Sequence, residues 1–139
     1  MNREIKQLWI DALTSGEYEQ GYGFLKVRGR DEASFTYCCL GVLCDLAKQA
    51  GIVEERAVQP YGGHGSINGY HAPGEMDDYS AYTSELPAEV MEWAGIDTAV
   101  GWFSENGTAK IEGHMSLVGM NDSRDWDFVD IARAIDEKF

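Results

Sequence analysis

The stretch Tyr37-Cys38-Cys39-Leu40-Gly41-Val42-Leu43-Cys44-Asp45-Leu46-Ala47 decides how the rest of the chain is read, because it is apolar almost all the way round and closes at Gly51. A helix with no polar face has no side to give to water, so it belongs at the centre of a fold. Toward the N-terminus, Asn2 is an N-cap, and Ile5, Leu8, Trp9, Ala12 and Leu13 recur at helical spacing before the stop at Gly16, which predicts an amphipathic helix with one buried stripe. Between the two helices, Phe24-Leu25-Lys26-Val27-Arg28 is short, partly β-branched and followed by Gly29, and reads as an extended segment or edge strand.

Toward the C-terminus, residues 60–80 are rich in glycine and read as a functional or mobile loop inserted in the domain. Pro87 at a first helical position, Val90, Trp93 and Ala94 on one face and the stop at Gly95 predict a short helix. Asn106-Gly107 is a two-residue hairpin signal that places Trp102 opposite Ile111, with Val100, Trp102, Ala109 and Ile111 on one face and Phe103 on the other. Phe128, Ile131, Ala132 and Ile135 form a last amphipathic pattern behind the capping candidates Ser123 and Asp125. The order predicts an α+β fold over residues 1–139 as a single domain, with about four helices and a short antiparallel sheet that includes the hairpin.

At 139 residues, 44% hydrophobic and 25% charged, the chain has enough apolar surface for one core and none of the composition of disorder. Twenty-four acids against eleven bases give a formal charge of -13. Such a field repels phosphate backbones and anionic lipid, so a generic nucleic-acid polymer binder is excluded. No signal-type segment and no apolar run of about 20 residues is present, so no membrane partner is expected. Three cysteines crowded at Cys38, Cys39 and Cys44 suit reduced, intracellular thiols and not a disulfide framework.

Leu8-Trp9, Ser15-Gly16-Glu17-Tyr18-Glu19-Gln20, Cys38-Cys39-Leu40-Gly41-Val42-Leu43-Cys44-Asp45-Leu46, Leu86-Pro87, Trp93-Ala94-Gly95, Asn121-Asp122 and Phe128 with Ile131-Ala132 together resemble a family of small bacteriophage proteins of unsettled activity. The resemblance runs over nearly the whole chain and implies a viral origin, and with it the cytoplasm of an infected bacterial host. The segment Gly62 to Gly74 is longer than the family pattern and marks a place of specialisation.

Three functional classes follow. Lys26, Arg28 and Arg30 alternate along an extended segment and share a face if Gly29 does not turn the chain, while Tyr18, Tyr22, His64, Tyr70 and His71 lie in or near glycine-rich turns. Aromatic planes stack on bases and glycine N–H groups approach phosphate, so this set suits a small nucleotide ligand. The first reading is an anti-defence protein that sequesters a small nucleotide immune signal without turnover, as a homo-oligomer and with no cofactor. The competing reading of the basic stretch is an edge strand paired to acids such as Asp31 and Glu32.

A second class is an acidic inhibitor, or DNA mimic, that docks on a host defence protein. A third is a papain-like cysteine hydrolase: Cys39-Leu40-Gly41 resembles the Cys-x-Gly helix start of such enzymes, and His114 follows the hairpin as a candidate base. Cysteines at 38, 39 and 44 with His64, His71 or His114 have no structural-zinc spacing, so no metal site is expected. The acid pairs Asp77-Asp78, Glu54-Glu55 and Asp125 with Asp127 read as solvated.

Overall fold

Helix α2 (Cys39–Gln49) is the axis of the molecule, with Cys39, Leu40, Gly41, Val42, Leu43, Cys44 and Ala47 all buried. The structure is a computed structural model that describes residues 1–31, 33–58, 66–75, 81–104 and 109–139. The helix starts behind Cys38, whose Sγ accepts the Gly41 N–H, and the chain leaves it through Gly51 at φ +77°. A Cβ at Gly41 would stand 1.7 Å from the backbone oxygen of Leu25. Glycine is required here because the helix lies directly against the backbone that enters the sheet.

Helix α1 (Arg3–Thr14) is capped by the Asn2 side chain, which accepts the Glu4 and Ile5 N–H groups. It packs on α2 and on α5 (Phe128–Lys138) through Ile5, Trp9 and Leu13. Leu8, expected on the buried stripe, is 52% exposed, because only the line of residues spaced by four meets the neighbouring helices.

The sheet has the order β1-β3-β2-β5-β4, formed by β1 (Glu19–Gln20), β2 (Lys26–Arg28), β3 (Phe35–Tyr37), β4 (Glu54–Val58) and β5 (Ser66–His71). It is mixed: β1 joins β3 in parallel and all other pairs are antiparallel. Strand β2 is not an edge, as it pairs with β3 on one side and β5 on the other. The expected loop at 60–80 contains β5, an interior strand with five buried residues, Ile67 to His71. Its Gly69 marks a close approach, since a Cβ there would meet the Ala81 Cβ at 2.9 Å and the Tyr82 oxygen at 3.0 Å.

The Asn106-Gly107 turn lies outside the described residues. Its flanks do not take the expected register: Trp102 bridges Ser116, and Ile111 bridges His114. Phe103 is buried while Trp102 is 43% exposed, the reverse of the expected faces. Gly101, at φ +75°, turns the chain immediately before this segment, and Thr98 Oγ1 accepts the Trp102 N–H at 2.9 Å. Helix α3 (Ala88–Ala94) begins behind Pro87 and stops at Gly95. An unforeseen α4 (Leu117–Asp122) follows, capped by Ser116. Helix α5 is capped by Asp127 in a reciprocal box with Asp130, not by Ser123 or Asp125. The described residues thus form an α+β fold of five helices and a five-stranded sheet. Among them no helix is long and apolar enough to cross a membrane.

Candidate functional site

Strand pairing sets Lys26 between Tyr37 and Asn68, Arg28 between Phe35 and Ser66, and Tyr70 opposite Glu55. Alternation along the strands puts these side chains on one face of the sheet. Lys26 is 5% exposed. Its Nζ lies 2.7 Å from Glu55 Oε2 and 4.2 Å from the centre of the Phe35 ring, with Tyr37 at 5.1 Å. Glu55 also accepts Lys48 Nζ from α2 at 2.9 Å and the side-chain amide of Asn68.

Burial by itself would raise the Glu55 pKa, but hydrogen bonds from Lys26, Lys48 and Asn68 outweigh it and hold the carboxyl below its ordinary range. Burial would likewise lower the Lys26 pKa, and the bonds to Glu55 and Tyr37 overcome it and raise the value. Two cations, Lys26 and Lys48, thus stand about the one carboxylate of Glu55, while Arg28, two residues further along β2, has its guanidinium 5.6 Å from the centre of the Phe35 ring. Tyr18 donates to Asp45 at 2.6 Å and meets the Tyr37 ring edge-on at 5.0 Å.

Among the described residues three buried polar atoms on this face have no hydrogen-bond partner: Arg28 Nε, Asn68 Oδ1 and Tyr70 OH. Burial pushes the Tyr70 pKa far up, so its hydroxyl keeps its proton and stays a donor. A donor, an acceptor and a hydroxyl left unused on adjacent strands are a concentration of unmet bonding capacity, since buried polar groups in folded proteins are nearly always paired.

The other predicted site residues divide. Arg30 does not join Lys26 and Arg28: the Gly29 N–H closes a turn onto Ser34 O at 2.7 Å, and Arg30 is left exposed beyond it. Tyr22 is exposed beneath the Arg124 guanidinium, 4.7 Å from its ring centre. His71 pairs with Glu54 and so alternates to the opposite face from Tyr70, with Nδ1 2.9 Å from Ala72 O. His64 lies outside the described residues. Sequence reasoning missed Glu55, taken as solvated, whose side chain is 8% exposed, and it missed Lys48 and Asn68. The signal for Glu55 was alternation: once 54–58 is a strand, Glu54 and Glu55 must face opposite ways.

The thiols are enclosed. Cys39 has no exposed surface, and its Sγ lies 3.7 Å from Leu117 O. Burial pushes the Cys38 thiol up to about 12 and those of Cys39 and Cys44 well above the ordinary value. His114 packs edge-on to Trp126 at 6.1 Å, and among the described residues no hydrogen bond joins it to Cys39. Among those residues no group of three or more His, Cys, Asp and Glu is placed to hold a metal ion.

The motif residues bond chiefly to one another. Trp9 Nε1 donates to Cys39 O at 2.9 Å, and the Cys39 N–H donates to Asn121 Oδ1 at 3.1 Å. Gln20 Nε2 donates to the same oxygen at 3.2 Å and to Trp126 O at 2.9 Å, while Asn121 Nδ2 donates to Gly21 O at 2.9 Å. With Tyr18 on Asp45 and Gly41 against Leu25, these residues lock α1, β1, α2 and α4 together. A family model described as a domain of unknown function (DUF8296) matches residues 1–139. No curated protein and no solved structure matches the chain.

Proposed function

The chain belongs to the DUF8296 family of domains of unknown function, and from its own side chains we propose that it is a binding protein that sequesters a small nucleotide without turning it over. The observation that carries this reading is the set of unpartnered buried atoms, Arg28 Nε, Asn68 Oδ1 and Tyr70 OH, beside the Lys26, Lys48 and Glu55 cluster. Arg28 supplies a guanidinium donor suited to a phosphate oxygen, and Asn68 with Tyr70 supplies an acceptor and a donor for a base or ribose edge. Phe35 and Tyr37 add aromatic faces next to the cations. Enclosed thiols with raised pKa values favour binding over cysteine hydrolysis, which needs an accessible thiolate. Following the phage resemblance, the setting is the cytoplasm of an infected bacterium and the ligand a nucleotide immune signal.

Native mass spectrometry of the full chain with cyclic dinucleotides and ADP-ribose derivatives tests this. Intact nucleotide is expected on the protein, with the number of chains per complex read from the same spectrum. Arg28→Glu should remain folded and lose the ligand; retention by that variant would remove Arg28 from the site.

A second reading, an acidic inhibitor of a host protein, is favoured by the charge of -13. It predicts a bare protein in the nucleotide panel and a protein partner whose association weakens steeply with salt.

A further inference from the structure

A groove of about 780 Å³ lies away from the sheet face, walled by Glu85, residues 95–100, Trp102, Phe103, Lys138 and Phe139. Its size is that of a small-ligand site. Two of its walls are fixed by hydrogen bonds: Leu86 N–H donates to Ala99 O at 2.9 Å, next to Glu85, and the Trp102 N–H donates to Thr98 Oγ1. Trp102 lines this space and is 43% exposed, while Phe103, also in the wall, is buried. Glu85 and Asp97 are exposed, and among the described residues neither takes part in an ion pair or a side-chain hydrogen bond. Among the described wall residues Lys138 has the basic side chain, 3.9 Å from Glu137, which offsets its charge, and Met1, with its N-terminal ammonium, also lines the groove.

An exposed indole that shares a groove with two unpaired carboxylates can attract an organic cation, since the ring face and the carboxylates act in the same direction. The groove is open, and it belongs to a chain of charge -13 that draws basic surfaces toward it over a Debye length. We propose that this groove takes the guanidinium or ammonium end of a basic side chain presented by a partner protein, with Trp102 under the cation and Glu85 and Asp97 as its countercharges. The site is separate from the nucleotide site proposed above and stands without it.

The test is an NMR titration of the full chain with the blocked peptide Gly-Arg-Arg-Gly, following the Trp102 indole N–H as identified with Trp102→Phe. The resonance should move in a saturable way. Glu85→Gln with Asp97→Asn should weaken binding about 5-fold, and Trp102→Leu by about the same factor, the scale of one exposed cation–π or ion-pair contact. A control that removes two exposed charges outside the groove wall, Glu17→Gln with Glu54→Gln, should change it by less than about 2-fold, because screening weakens distant charges. An indole resonance that does not move, or equal losses in both double variants, would overturn the proposal. Agmatine bound as tightly as the peptide would also overturn it, by assigning the groove to a free amine.

Discussion

At the junction of β1, α2 and α4, Asn121 is fully buried and uses both ends of its amide, accepting from Cys39 and Gln20 and donating to Gly21. On the sheet face, Asn68 is also buried, yet only its nitrogen is engaged, and Arg28 Nε and Tyr70 OH beside it are unpaired. The same residue type thus sits in two enclosed settings, one complete within the chain and one open-ended. The contrast separates a polar region whose bonds close within the chain from one that leaves buried bonding capacity unused. The junction contains Trp9, Gln20, Cys39 and Asn121 of the motif quoted from the sequence, whereas Lys26, Arg28, Glu55, Asn68 and Tyr70 lie outside it.

If that separation is right, damage at the junction should unfold the protein and damage at the sheet face should not, apart from the charged pair. The largest effect is expected at Gly41→Ala, where a methyl 1.7 Å from Leu25 O forces α2 off the sheet backbone. A loss of about 4 kcal/mol or more, read by urea unfolding, is the scale of such overpacking against backbone.

Glu55→Gln comes next, at about 3 kcal/mol, because it leaves the Lys26 ammonium buried with its main countercharge removed. The pH dependence has two limbs. The depressed Glu55 pKa means that its contribution is present above the unfolded value of about 4.3 and is lost as the pH falls through the lower folded value. The raised Lys26 pKa means that its contribution is complete below about 10.4 and is lost as the pH rises through the higher folded value. Glu55→Gln should flatten the acid limb in pH-dependent unfolding; an unchanged limb would detach Glu55 from the cluster.

Tyr18→Phe should cost about 1 kcal/mol, the value of one hydrogen bond to a partly solvated carboxylate, without altering the m-value. The smallest effect on stability is expected for Arg28→Met, within about 0.5 kcal/mol by thermal unfolding, since its Nε holds no partner to lose.

Much of this was legible where the chain reports its own local geometry. Asn2, Gly16, Gly51 and Gly95 announce helix ends through capping and positive φ, and each stands at one. The strands were harder, because three of the five have three residues or fewer and owe their existence to partners far along the chain. Strand β5 looked like a loop since Asn68 and Gly69 are poor strand formers; tertiary pairing on both sides overrides them. Lys26 and Arg28 were found by alternation alone. Glu55 and Asn68 were not, because a carboxylate reads as solvated until a buried lysine is placed opposite it.

Equilibrium urea unfolding of Asn121→Ala beside Tyr70→Phe measures directly how the two polar regions differ. Asn121→Ala strands the Cys39 N–H and the Gly21 oxygen in the core and should cost about 3 kcal/mol. Tyr70→Phe removes a hydroxyl that has no partner and should change stability by less than about 0.5 kcal/mol. Equal losses in the two variants would contradict the distinction between a self-contained junction and an open-ended sheet face.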